Sequence, residues 1–351
     1  MSEIQVNAIV SQTANSAPTI AGLQYPTAGP LSNRNLVING NFDVWQRGTT
    51  KSYSTTSSQY DTADRWLMRT TGSADVTVSQ QSFTAGQTDV PNNPKFFYRW
   101  NTTAFTSGQG RVENRIEDVT LTSGQTLTLS FWAKSDAART IEPRFSQNFG
   151  TNGSANVTVS GDVASFNMTT SWQKFTTTVT LGSVNGKTIG TNNCLELRFN
   201  FPEAISTTDI AQVQLEIGRK ATPFETRTFG DELNRCKRYF SILSPGFEAI
   251  RGATGTVYST ANLQSFMQLP PMRAFPTLSD PDGNATVVMS GRTSTFAVSS
   301  NWNIVPFIVN NQPNNLLVGF SYNLANNLNV NLPTSQAFLV LTEAVHASAE
   351  L

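Results

Sequence analysis

Apolar and polar residues alternate along most of the chain, in short runs that turn-forming residues separate. Clear runs lie at residues 75–78, 126–131 and 194–201, and Gly, Asn and Ser stand between them. Alternation with a period of two is typical of strands that bury one face. No segment between residues 34 and 228 shows sustained helical periodicity. The pattern therefore predicts an almost entirely β domain there, with a strand spacing that favours a sandwich.

Two segments about a domain's length apart predict the opening and closing strands of that sandwich. The first combines a strand-like run at residues 36–38 with a turn at residues 39–41, where Asn and Gly tolerate a left-handed backbone. In the second, apolar Val213, Leu215 and Ile217 alternate with polar neighbours. That alternation is the pattern of a half-buried strand.

These segments, NLVINGNFDVWQRG at residues 35–48 and IAQVQLEIGRKATPFE at residues 210–225, resemble the carbohydrate-binding-module-like jelly rolls of phage tail fibres and other virion proteins. An Asp-Arg-Trp run at residues 64–66 belongs to the same resemblance. It implies a mostly β protein: an extended N-terminal arm, a jelly-roll β-sandwich, a short helix and a second small β domain. The expected boundaries are 1–33 for the arm, 34–228 for the jelly roll, 229–243 for the connecting helix and 244–351 for the C-terminal β domain.

The N-terminal residues predict one short strand on a flexible arm. Residues 3–10 alternate, with Ile4, Val6 and Val10 on one side, and residues 11–33 are rich in Ser, Ala, Pro and Gly. A lone strand cannot bury its face by itself, so it needs another chain to pair with. We therefore expect these three residues to attach the chain to other virion proteins; a disordered terminus is the alternative.

One helix is predicted, starting after a capping pattern at Thr228 and running to about residue 241. Its apolar positions form one face that needs a partner; they are Phe229, Leu233, Cys236 and Phe240. The resemblance implies a homotrimer with this face near the threefold axis. Packing of the helix against its own jelly roll is the alternative.

The charge composition argues against nucleic acid and membranes as binding partners. Charged residues make up 14% of the chain and the formal net charge is zero, with a pI near 6.6, so no excess of basic residues favours nucleic acid or anionic lipid. No apolar run reaches the roughly 18 residues of a membrane span. Residues 1–20 lack the pattern of a secretion signal. Together with the resemblance, this predicts a virion protein made in the host cytoplasm.

The chain has few residues of the types that enzymes use for catalysis, and it is predicted not to be an enzyme. His346 is the single histidine, and Cys194 and Cys236 are the only cysteines, so a histidine base or a structural zinc site is not expected. Both cysteines are interpreted as small buried groups rather than as a disulfide. A glycosidase needs only two carboxylates, and the pairs considered are Asp61 with Asp64, and Glu113 with Glu117 and Asp118.

No cofactor is expected, with a structural calcium as the open alternative. Side-chain oxygens of Asn39, Asn41 and Asp43 are of the hard type that calcium prefers. The closing strand, however, has Ala211 and Gln212 where related modules often have acids.

Sugar binding requires aromatic faces beside hydrogen-bonding groups. Tyr98 and Trp100 share one side of a predicted strand, with Arg99 on the other, and are the predicted glycan platform; core packing is the alternative. The function expected is that of a tail fibre or tail appendage that recognises a host-surface glycan. A head or neck fibre with an architectural role and a capsule-degrading glycoside hydrolase are the alternatives.

Overall fold

The computed structural model describes residues 32–159, 165–243, 271–274, 276–279 and 345–351, and elsewhere the backbone of short strands only. The predicted attachment residues Ile4, Val6 and Val10 lie outside the described residues. The chain divides into two compact units, residues 1–233 with Leu351 and residues 234–350. No helix of the described part is long and apolar enough to cross a membrane.

The first unit is built from strands β1 to β15 and one short 3-10 helix at Val119–Thr122. The strands, in chain order, are β1 (Thr19–Ile20), β2 (Leu23–Gln24), β3 (Thr50–Tyr53), β4 (Ser57–Gln59), β5 (Trp66–Thr70), β6 (Ser73–Ser82), β7 (Phe96–Ser107), β8 (Gly110–Glu117), β9 (Thr126–Ser135), β10 (Arg139–Asn148), β11 (Val157–Val159), β12 (Phe166–Met168), β13 (Gln173–Thr180), β14 (Cys194–Asn200) and β15 (Ser206–Ile217).

Two antiparallel sheets form a sandwich. One has six strands in the order β13-β9-β15-β7-β6-β3, and the other has seven, in the order β11-β10-β14-β8-β5-β4 with β12 also paired to β10. The predicted runs at residues 75–78, 126–131 and 194–201 fall in β6, β9 and β14. The prediction of a mostly β sandwich is confirmed.

The opening segment is held to the closing strand by an asparagine. Asn35 is buried and donates its amide to Val213 O at 3.0 Å, and its Oδ1 accepts the N–H of Leu215 at 3.1 Å. Leu36 N also donates to Leu215 O at 2.8 Å, and Glu225 accepts the N–H of Asn35 at 3.0 Å. The two segments therefore meet as predicted. Residues 36–38 form no strand of their own, and the side chain of Asn35 supplies part of the pairing.

Aromatic rings fill the space between the sheets. Phe42 lies 5.1 Å from Trp66 and 5.3 Å from Tyr98, measured between ring centroids. Phe199 lies 4.9 Å from Phe131 and 6.3 Å from Trp66. All five rings are fully buried. Because buried aromatics bring large contact areas, they account for much of the stability of this core.

The Asp-Arg-Trp run and the turn at Asn39 fasten one end of the sandwich. Asn39 adopts a left-handed backbone, with φ of 59°, as predicted. Its amide donates to Val44 O at 2.8 Å and to Asp64 O at 2.9 Å. Trp66 donates its indole N–H to Asn39 O at 3.0 Å. These residues therefore have a structural role.

The single helix described, α1 (Phe229–Lys237), is shorter than predicted. Thr228 caps it: Asp231 N donates to Thr228 Oγ1 at 3.2 Å, which confirms the capping pattern. Residues 240–243, expected in the helix, form a strand because Phe240 and its neighbours pair with a strand near residue 346.

The second unit contains strands β16 to β25 in three small antiparallel sheets. They are β16 (Phe240–Leu243), β17 (Thr256–Ser259), β18 (Asn262–Gln268), β19 (Thr277–Ser279), β20 (Val287–Ser290), β21 (Thr295–Val298), β22 (Trp302–Asn303), β23 (Leu317–Asn323), β24 (Phe338–Leu341) and β25 (Val345–Ser348). The sheet orders are β16-β25-β19, β17-β18-β23-β22 and β21-β20-β24.

Candidate functional site

Tyr98 and Trp100, the predicted glycan platform, lie in the core of the sandwich. Tyr98 is 0% and Trp100 1% exposed. Trp100 stacks on Phe201 with ring centroids 4.4 Å apart and donates its indole N–H to Thr102 Oγ1 at 3.1 Å. The prediction of a platform at these two rings is wrong, because both face the opposite sheet; core packing is their role.

The outer face of the same strand carries Phe97 and Arg99. The alternation that puts Tyr98 and Trp100 on one side and Arg99 on the other is confirmed, since only the first two belong to the core. Which side meets solvent is decided by the sheet that covers the inner one. The same alternation places Phe97 on the side of Arg99, so a glycan platform predicted on that side would have included Phe97.

Three aromatic rings cluster on this outer face, and we call Phe83, Phe97 and Trp172 the aromatic patch. Phe83 lies 4.8 Å from Phe97 and 5.2 Å from Trp172, and Phe97 meets Trp172 edge to face at 5.3 Å. Phe97 is nearly buried, whereas Phe83 and Trp172 are partly exposed. A ligand would therefore meet the indole of Trp172 and the ring of Phe83.

Charged groups border the aromatic patch. Asp209, only 3% exposed, accepts two hydrogen bonds from Arg99, at 2.7 Å from Nε and 2.9 Å from Nη2. The hydrogen bond to Asp209 raises the pKa of Arg99. Lys134 Nζ lies 3.7 Å from Asp209 and 5.2 Å from the centroid of the Trp172 ring. The three charged residues lie side by side because their strands are paired in register.

This arrangement has the two parts that sugar recognition requires. The exposed part of the indole offers an apolar surface to the C–H face of a pyranose ring, and Arg99 and Lys134 place N–H donors beside it for hydroxyl groups. Asp209 holds both donors in position, so little conformational entropy is lost when a ligand binds.

Glu113, one of the acids considered for hydrolysis, lies on the outer side of the other sheet and is 0% exposed. Burial alone would raise its pKa, but the neighbouring Arg198, Arg111 and Arg115 together hold it below the ordinary value. A general acid in a glycosidase needs a raised pKa. The surroundings of Glu113 therefore favour its ionised form and a structural role.

The other acids and the buried thiol also have structural surroundings. Asp61 accepts a hydrogen bond from the hydroxyl of Tyr53, and Asp64 accepts the N–H of Gln46 at 2.9 Å. Asp118 caps the 3-10 helix. Burial raises the pKa of Cys194 to about 12, so that thiol is a poor nucleophile at neutral pH. Both cysteines are free and buried, as predicted.

The predicted calcium ligands lie at the end of the sandwich, where a cavity of about 370 Å³ is lined by Asn41, Asp43, Lys95 and Arg227 among others. Asn39 Oδ1 already accepts the N–H of Val44 at 3.0 Å, so this side chain is committed to the loop. Within the described residues, no group of three or more His, Cys, Asp or Glu is placed to hold a metal ion. Calcium stays a prediction, and Lys95 and Arg227 already bring positive charge to the cavity.

The predicted oligomer face on the helix does not form as an exposed strip. Cys236 and Phe240 are 0% and 2% exposed, buried by their own chain, whereas Phe229 is 59% exposed and Leu233 partly so. The helical spacing fails because Phe240 belongs to β16. The homotrimer stays a prediction, and of the four residues only Phe229 and Leu233 are exposed enough to contribute to its contact.

Similar solved structures show only the general likeness of the fold. A tailspike protein 4 enzymatically active domain from bacteriophage CBA120 matches at 15% identity and a TM-score of 0.36, over 52% of this chain and 21% of its own length. A xylan-binding domain from Paenibacillus barcinonensis matches at 17% and 0.30, over 49% and 95%. A family 11 carbohydrate-binding module from Clostridium thermocellum matches at 14% and 0.30, over 50% and 98%.

The chain thus spans about a fifth of the tailspike structure that it matches. No protein-family model matches the chain, and no curated protein does. Likenesses this distant assign it no ligand and no activity.

Proposed function

We propose that this chain is a non-catalytic, glycan-recognising component of a phage virion, a tail fibre or tail-associated appendage. The observation that carries the proposal is the aromatic patch, in which the partly exposed Trp172 stands beside Arg99 and Lys134 on an outer sheet face. The virion setting is supported by the resemblance of the opening and closing segments, and attachment would use residues 1–33.

Binding at a single patch is expected to be weak. The patch is open, and stacking with a few hydrogen bonds leaves about −4 kcal/mol after ordering costs, which corresponds to a dissociation constant near 1 mM. Several copies on one particle would raise the overall affinity through avidity. A weak single site lets the particle move over the host surface, while many sites hold it there.

The test measures binding of the full chain to purified bacterial capsule and lipopolysaccharide sugars by affinity electrophoresis. Trp172→Ala is expected to abolish retardation, because the exposed stacking surface is lost. Phe105→Ala is the matched control: Phe105 is a partly buried aromatic that packs on the core. It follows Phe97 on β7 at a distance of about 26 Å along an extended strand. This control should retain binding with some loss of stability.

Two results would count against the proposal. If Trp172→Ala binds every sugar as the unchanged chain does, the aromatic patch is not the site. If instead the chain releases reducing ends from a polysaccharide on prolonged incubation, it is a hydrolase, and the assignment as a non-catalytic protein is incorrect.

A further inference from the structure

Four arginines that the aromatic patch does not involve lie together on the outer face of the seven-stranded sheet. Arg69 lies on β5, Arg111 and Arg115 on β8, and Arg198 on β14, and these three strands are adjacent. We call this cluster the arginine face. Side-chain exposures of 36%, 19%, 18% and 21% leave all four in reach of a ligand.

Two glutamates lie beneath the arginines. Glu113 and Glu196 are 0% and 2% exposed although both project from the outer side of the sheet. Glu113 is in contact with all four arginines, at 2.7 Å from Arg111 Nε, 3.4 Å from Arg115 Nη2, and 3.5 Å from Arg69 Nη1 and Arg198 Nε. Among these six side chains, two carboxylates face four guanidinium groups, so two positive charges are in excess.

The strand register places like charges directly opposite one another. Arg69 is the cross-strand partner of Arg111, and Arg144 that of Arg198. Like charges in directly opposite positions destabilise a sheet. Arg144 and Arg198 are each paired with a glutamate of their own, Glu142 at 2.7 Å and Glu196. Arg69 and Arg111 are both paired with the buried Glu113, whose carboxylate all four arginines of the face share.

Hydrogen-bond donors remain free at one end of this face. In the part of the chain that the structure describes, the guanidinium of Arg69 donates no hydrogen bond, and neither Nη atom of Arg111 does. At the other end, Arg115 Nη1 donates to the main-chain oxygen of Leu351 at 2.6 Å, and Arg198 Nη2 donates to Glu196. The free end therefore consists of Arg69 and Arg111.

We propose that the arginine face binds the anionic groups of an acidic polysaccharide, with Arg69 and Arg111 as the primary contacts. A guanidinium carries five donors in a rigid fork that matches a carboxylate or sulfate. The inference rests on the proposed function only in taking a polysaccharide as the carrier of those groups. A polysaccharide is preferred to nucleic acid because the aromatic patch of the same unit is proposed to recognise a glycan. Duplex DNA, a polyanion of a different class, enters the experiment below as the competing ligand.

The experiment uses the full chain with polygalacturonate as a carboxylate probe, dextran sulfate as a sulfate probe, neutral dextran and duplex DNA. Arg69→Gln is the primary variant, since the 3.5 Å contact of Arg69 with Glu113 is long and its loss should leave the fold intact. Arg139→Gln is the matched control: it removes the same charge at 28% exposure, from an arginine paired with Asp136.

Polygalacturonate should bind the wild-type chain and the Arg139→Gln control with equal affinity. It should bind Arg69→Gln about tenfold more weakly, as expected for the loss of a charge-assisted hydrogen bond. Binding should also weaken between about 0.1 and 1 M salt, where the screening length falls from about 10 to about 3 Å. If dextran sulfate binds with the same dependence on Arg69, the result supports the site and identifies sulfate as the anionic group that it recognises.

Three results would overturn the proposal: no binding of either acidic polysaccharide at millimolar sugar, equal losses in Arg69→Gln and Arg139→Gln, or duplex DNA binding as tightly as polygalacturonate. Trp172→Ala separates this site from the aromatic patch. That variant should keep polygalacturonate binding, so failure at one sheet face leaves the result at the other interpretable.

Discussion

The indole of Trp100 fills the space between the two sheets, so Trp100→Ala should destabilise the first unit without removing a ligand contact. Large-to-small changes of a buried tryptophan cost about 3–5 kcal/mol. Here the stack on Phe201 is lost, worth about 0.5–1.5 kcal/mol beyond the buried area. The hydroxyl of Thr102, 3% exposed, loses its donor as well.

The upper half of that range is expected because the cavity cannot close. Gly110 stands on β8 of the opposite sheet, where an added Cβ would lie 2.2 Å from Trp100 Cζ2. One wall of the cavity is therefore strand backbone, which hydrogen bonds to the neighbouring strands keep from moving into the space. Collapse of the surroundings would otherwise recover part of the loss.

The assay is urea unfolding followed by far-UV circular dichroism, which does not depend on the removed indole. With a slope of about 2 kcal/mol per molar urea, a loss of about 4 kcal/mol lowers the midpoint of the first unit by about 2 M. Trp172→Ala, at a partly exposed ring, should lower it by about 0.5 M, equivalent to about 1 kcal/mol. If Trp100→Ala instead abolishes glycan binding at an unchanged midpoint, the burial argument is incorrect and the ring is a binding platform.

Asn35→Ala removes the amide that joins the opening segment to the closing strand and leaves buried backbone groups unpaired, so it should cost about 2–4 kcal/mol in urea unfolding; a neutral result would contradict the pairing. The pKa of Glu113 lies below its ordinary value of 4.5, so its ionised form stabilises the fold above that pH and the contribution is lost as pH falls through the lowered pKa. The difference in unfolding free energy between the unchanged chain and Glu113→Gln should therefore shrink with acid, and a constant difference would refute the ion-pair account. Deleting residues 1–33 should abolish incorporation into particles but leave the melting of the remainder unchanged; full occupancy of particles by the truncated chain would exclude the attachment role. Light scattering at micromolar concentration should give a trimer, and a monomer would rule that out for the isolated chain.

Part of this molecule follows from local pattern. Alternation over residues 126–131 predicts β9 because a strand exposes its side chains to opposite faces in turn, and no tertiary contact is needed to see it. The cap at Thr228 and the left-handed backbone at Asn39 follow from local chemistry in the same way. The pairing of the opening and closing segments could also be predicted, since both segments carry recognisable patterns.

The sequence by itself thus determined the fold class and, in the alternating runs, which residues share one side of a strand, such as Tyr98 and Trp100. Only the tertiary structure decided which side is buried. Alternation shows which residues share a side of a strand, but the side that faces the core depends on where the second sheet packs. The same reason applies to both candidate sites. Trp172 meets Phe83, and Arg69 meets Arg111, only once strands far apart in the chain are paired in one register, and that register is a property of the folded sheets.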